Sequence, residues 1–89
     1  MTYRLRLVAY ADDTPEMKDR IRSAIEDSGG QVESSCGEKT TRGAMEMTFA
    51  VRIEEPRLVD GIASAVERLR CVAVMRVTEP RPIRGLHRV

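Results

Sequence analysis

Eighty-nine residues, 42% of them apolar, make one small domain that buries only about 60–65% of the surface its unfolded chain exposes, enough for a single modest core. Fifteen basic side chains against 14 acidic leave a net charge of +1, which steers the chain toward neither nucleic acid nor an anionic membrane. No apolar run reaches the ~18 residues of a membrane helix, and Met1 leads at once into a strand-like pattern rather than a signal segment.

Residues 3–10, YRLRLVAY, alternate. Leu5, Leu7 and Ala9 fall on one face and Arg4, Arg6, Val8 and Tyr10 on the other, as a strand with one buried side requires. The stretch ADDTPEMKD then carries helix-start chemistry: Thr14 as N-cap, Pro15 preset for the first turn, and Asp12, Asp13 and Glu16 complementing the positive end of the helix dipole. These carboxylates repel an anionic ligand, so an amine or a metal cation is the small partner they favour if the stretch does more than start a helix. Met17, Ile21, Ala24, Ile25 and Ser28 recur at helical spacing, and Gly29-Gly30 ends that helix.

QVESSC, residues 31–36, alternates weakly with Val32, Ser34 and Cys36 as inward candidates, which predicts a short edge strand. A polar loop, GEKTTRG, follows at 37–43. Met45, Met47, Phe49, Val51 and Ile53 then alternate with Glu46, Thr48, Ala50 and Arg52, the pattern of a central strand with one buried face. Pro56 suits the first turn of a second helix with the stripe Leu58, Ile62, Ala65, Val66 and Leu69. Gly61 inside it either weakens the helix by roughly 1 kcal/mol or permits close packing on the sheet. CVAVMRVT, residues 71–78, is a last strand, and the aperiodic EPRPIRGLHRV beyond it predicts a domain over 1–79 and a tail over 80–89, basic through Arg81, Arg84 and Arg88.

The order β-α-β-β-α-β with right-handed crossovers predicts an α+β, ferredoxin-like sandwich. Its antiparallel sheet has spatial order 4-1-3-2, two helices cover one face, and the other face stays open. Strands 2 and 4 are opposite edges, so Cys36 and Cys71 are expected as separate, reduced, half-buried thiols with no disulfide. They also lack the CxxC spacing of a zinc site, and no metal or cofactor is expected. Val8 and Tyr10 with Val72 and Val74 are expected to form an apolar patch on the open face, rimmed by Arg4, Arg6, Arg52 and Arg76, and hence an interface. A homodimer through that face or through edge strands is the expected partner, beside an unspecified protein partner.

Other chemistries find little footing. Only Tyr3, Tyr10 and Phe49 are aromatic, and Ala44, Glu46 and Thr48 stand where an RNA-recognition sheet needs stacking rings. The single histidine, His87, lies in the tail, so no nucleophile–base grouping assembles on the scaffold. A non-catalytic role follows.

Asp13-Thr14-Pro15 at the end of the first strand resembles the Asp-x-Pro of the ACT domain family, small regulatory modules that often bind amino acids between paired copies. The resemblance implies a ligand site at Asp13, Thr14, Pro15 and Glu16. Where that family usually has glycine after the proline, this chain has Glu16. More narrowly, YRLRL and LVDGIASAVERLRCVAVMRV resemble the C-terminal cytoplasmic ACT-like domain of MgtC/SapB-type bacterial membrane proteins, a family linked to magnesium limitation and virulence. That resemblance implies a cytoplasmic regulatory domain attached to a membrane-spanning portion outside this chain; the alternative is an amino-acid-binding module of an enzyme or transcription factor. An acylphosphatase-like enzyme of the same fold wants an arginine and an asparagine at an anion loop, and the chain has no asparagine.

Overall fold

The computed structural model describes residues 1–40, 43–70 and 72–83, and for Met75 the backbone alone. In chain order come β1 (Tyr3–Asp12), α1 (Met17–Asp27), β2 (Gln31–Lys39), β3 (Ala44–Ile53), α2 (Leu58–Glu67), β4 (Val72–Val77) and β5 (Arg81–Pro82). The main sheet runs β2-β3-β1-β4, antiparallel at every pairing, which is the expected ferredoxin-like order.

Both helices lie on one face. Met17, Ile21 and Ile25 of α1 and Ile62 and Val66 of α2 pack with Leu5, Leu7, Ala9 and Ala11 of β1 and with Met47, Phe49, Val51 and Ile53 of β3. These stripes are the ones the two periodicities select, because period 3.6 and period 2 each bring their apolar positions onto one side. Phe49, Leu7 and Ile21 are fully buried, each stabilising the fold by roughly 1.5–3 kcal/mol relative to exposure.

Gly29 ends α1 with φ +103°, a conformation costly for any residue with a Cβ. Gly30 is buried for a different reason. A Cβ there would come within 2.8 Å of both Ile25 Cγ2 and Val51 Cγ1, so the glycine lets α1 and the sheet meet. At the β2–β3 hairpin, Thr40 N–H donates to the Ala44 carbonyl at 2.8 Å, and Gly43 takes φ +80°.

Three expectations need correction. In β2, Val32 pairs with Val51 but Ser34 pairs with Ala50, leaving Glu33 as an extra residue. This bulge inverts the alternation. Ser34 and Cys36 therefore point away from the helices, and Cys36, expected inward and half-buried, is exposed and free; Cys71 lies outside the described residues. β4 carries a second bulge, since Arg76 pairs with Val8 and Val74 with Ala9, with Met75 between. Of the two readings of Gly61, the structure favours helix weakness over a packing device, since a Cβ there would meet nothing within 4 Å. Finally, the expected tail opens with β5, which pairs Tyr3 with Pro82 and Arg4 with Arg81 on the same side of β1 as β4. Arg84, His87 and Arg88 lie outside the described residues.

Candidate functional site

The first candidate is the turn between β1 and α1. Thr14 N–H donates to the Asp12 carbonyl at 2.9 Å, and the Thr14 carbonyl accepts from Met17 N–H at 3.2 Å. The regular helix begins at Met17, after a turn through Pro15 and Glu16, rather than directly at Pro15. Asp13 Oδ2 lies 3.5 Å from Lys39 Nζ, which ties this turn to the end of β2. Asp13 thus already has a cation at hand.

The four residues implicated by the Asp-x-Pro resemblance do not converge. Pro15 and Glu16 line a shallow groove along the outer side of α1 with Asp19, Ser23 and Leu69, whereas Asp13 turns toward β2. A separate recess of about 180 Å³ opens between α1 and the β2–β3 hairpin, walled by Lys18, Gly37, Met45, Met47 and Phe49. A Cβ on Gly37 would sit 2.8 Å from Met45 Sδ, so glycine lets that thioether lie against the strand. The recess falls below the roughly 300 Å³ at which drug-sized ligand pockets begin. Lys18, the one charge among its described lining residues, suits a carboxylate. Among the described residues, no group of three or more His, Cys, Asp or Glu is placed to hold a metal ion.

The second candidate is the open sheet face, where the expected patch is redrawn. Val72 pairs with Ala11 and Val74 with Ala9, both helix-side positions, and both valines pack against the core. The Met75 bulge is the physical reason, because the extra residue puts Val74 and Arg76 on opposite faces. Of the four residues expected there, Val8 and Tyr10 remain. Val8 is only 4% accessible although it faces away from the helices, and Tyr10 is 39% accessible. Val8 sits between Thr48 and Arg76 across the strands. Among the described residues no broad apolar surface is left there.

Polar groups dominate that face instead. Arg4 stands directly opposite Arg52, a like-charge pair that costs stability unless neutralised. Glu33, displaced by its bulge, accepts from Arg4 Nε at 2.8 Å and lies 3.6 Å from Arg52 Nε. Gln31 Oε1 accepts from Arg52 Nη2 at 3.3 Å. Beside Arg6, the Thr78 hydroxyl accepts the Arg6 N–H at 2.9 Å, and Arg81 follows on β5. Sequence reasoning missed Glu33 and Arg81. Nothing in QVESSC marks a bulge, and two prolines around Arg81 argue against a strand, although proline is tolerated on a sheet edge.

No family model and no curated protein matches the sequence. Similarity appears among solved structures. A homoserine dehydrogenase from Thiobacillus denitrificans aligns with TM-score 0.69 and 17% identity over 84% of this chain and 17% of its own. A protein of unknown function from Galdieria sulphuraria aligns with TM-score 0.68 and 16% identity over 97% of this chain and 49% of its own. The ACT domain of GTP pyrophosphokinase from Chlorobium tepidum aligns with TM-score 0.58 and 12% identity, over 88% of this chain and 95% of that domain. The chain thus spans about half of the Galdieria protein and about a sixth of the dehydrogenase. At these identities what is shared is the fold. It is a ferredoxin-like βαββαβ sandwich of the ACT-like kind. Among the described residues, no helix is long and apolar enough to cross a membrane.

Proposed function

We propose that this chain is a regulatory or interaction module of ACT type, which works by association rather than catalysis. The observation that carries the reading is the match to a whole ACT domain, 88% of one chain against 95% of the other. Likeness to parts of two longer proteins, one of them a dehydrogenase, supports a module that serves a larger protein.

Association through the edge of β2 is the favoured mode. With Val72 and Val74 against the core, the described residues of the open face lack the apolar area for a face-to-face dimer. The outer edge of β2 has no strand neighbour among the described residues over Gln31–Lys39, and such an edge offers unpaired backbone groups to a second strand. Sedimentation velocity across a hundredfold range of concentration should show a monomer–dimer equilibrium, with amide exchange slowing at alternate residues of 31–39 as dimer forms. Monomeric behaviour throughout, with uniformly fast exchange on β2, rejects this mode.

A second reading, amino-acid binding, draws on the recess beside Lys18. Titration with the common amino acids would then shift amide signals of Lys18, Gly37 and Asp13–Glu16, and silence at millimolar ligand removes it. The narrower assignment to an MgtC/SapB-type membrane protein rests on the sequence pattern of β1 and of α2–β4. Apolar spans encoded in the same reading frame upstream would support it, and a frame without them would discard it.

A further inference from the structure

The open face concentrates arginines at one end. Arg81 on β5 is opposite Arg4 on β1, and Arg4 is opposite Arg52 on β3, so three guanidinium groups share one row across the sheet. Directly opposite residues share a face with Cβ atoms roughly 5 Å apart, and like charges so placed are destabilising. Arg6 lies two residues on from Arg4 on the same face. Glu33 serves Arg4 and Arg52, while Arg6 and Arg81 have no carboxylate partner among the described residues.

These side chains border a groove of about 530 Å³ whose lining includes Arg4, Arg6, Ala50, Thr78 and Arg81. Ala50, paired with Arg6, keeps the floor low. Thr78 and Glu79, in the break between β4 and β5, form part of its wall. Thr78 spends its hydroxyl oxygen on Arg6 N–H, which leaves the hydroxyl proton to donate. One carboxylate, Glu79, also lines the groove. Further along β1 the same face turns acidic, since Tyr10 is paired with Glu46 and Glu46 with Glu38.

We propose that this groove binds a compact oxyanion carrying two or more negative charges, a phosphate group or a polycarboxylate, gripped by Arg6 and Arg81 with Arg4 in support. The site is distinct from the Asp-x-Pro turn and from the β2 edge. Guanidinium forks match paired anionic oxygens in geometry as well as charge. Compactness follows from the face itself: roughly 13 Å along β1, four residues at about 3.3 Å each, an extended polyanion such as RNA meets Glu46 and Glu38. The bound anion also neutralises the arginine row.

The test titrates the full chain with inorganic phosphate, pyrophosphate and citrate, each against sodium chloride of equal ionic strength. Backbone and arginine Nε signals of Arg4, Arg6, Thr78 and Arg81 should move and saturate, and the melting temperature should rise with anion concentration. Arg6→Gln and Arg81→Gln should each weaken binding roughly tenfold. Arg57→Gln, whose partner is Glu55, should not. Glu33→Gln, which releases Arg4, should tighten binding severalfold. Preference for pyrophosphate over citrate assigns phosphate chemistry, and the reverse assigns carboxylates. If chloride reproduces the shifts, or Arg6→Gln and Arg81→Gln both bind as the parent does, the proposal is overturned.

Discussion

Replacing Gly61 by alanine should stabilise the domain by about 0.5–1 kcal/mol, because the position lies within α2 and a Cβ there meets nothing within 4 Å. Thermal unfolding should show a rise of roughly 2–8 °C. Gly30→Ala should do the reverse. Its Cβ would press on Ile25 and Val51 at 2.8 Å and on Ile62 at 3.1 Å, an overpacking that costs about 1–3 kcal/mol and would appear as a lower denaturant midpoint with an unchanged slope. Glu33→Gln removes the one carboxylate that lies near both Arg4 and Arg52. Stability should fall by about 0.5–1 kcal/mol at low salt, and the difference should shrink in 1 M sodium chloride, where the Debye length is about 3 Å.

At the scale of elements, β3 was legible in the sequence and β2 and β4 were legible only as strands. Met45 to Ile53 alternates strictly, so one phase alone hides the apolar set, and Met47, Phe49, Val51 and Ile53 are buried as that phase requires. CVAVMRV is apolar in either phase over its first half, so periodicity could not choose the face of Val72 and Val74. A bulge is a backbone event without a dedicated side chain, and each of the two bulges shifted the assignment by one residue. The turn at Asp13–Glu16 was legible as a helix start, although Glu16 rather than Thr14 takes the N-cap position and no side chain caps it, while the arginine groove depends on β5, hidden by its prolines. Ending the chain after Glu79 should remove the pairing of Arg81–Pro82 with Tyr3–Arg4 and the Ile83 N–H bond to the Thr2 carbonyl. Amide exchange at the start of β1 should then quicken while that of Phe49 stays slow.

For the whole molecule, a single layer of helices over a single sheet makes stability depend on a few fully enclosed side chains. Phe49→Ala should cost about 3–5 kcal/mol, a large share of the roughly 4–13 kcal/mol to be expected for a chain of this length, and urea unfolding at 25 °C would measure it. The helix side is committed to that core. Among the described residues, the free edges of β2 and β4 and the polar reverse of the sheet remain for partners, and the proposed β2 association and the proposed anion site occupy different ground.

The extra residue in β2 has a chemical readout. As long as Glu33 stays looped out, the Cys36 sulfhydryl is presented to water and should be alkylated by maleimide at close to the rate of a small-molecule thiol. Excising Glu33 would leave Cys36 opposite Thr48 and labelling fast, whereas a one-residue slip that took Glu33 into simple pleating would turn that sulfur beneath α1 and slow it, so a reagent in the test tube can report the parity of a strand.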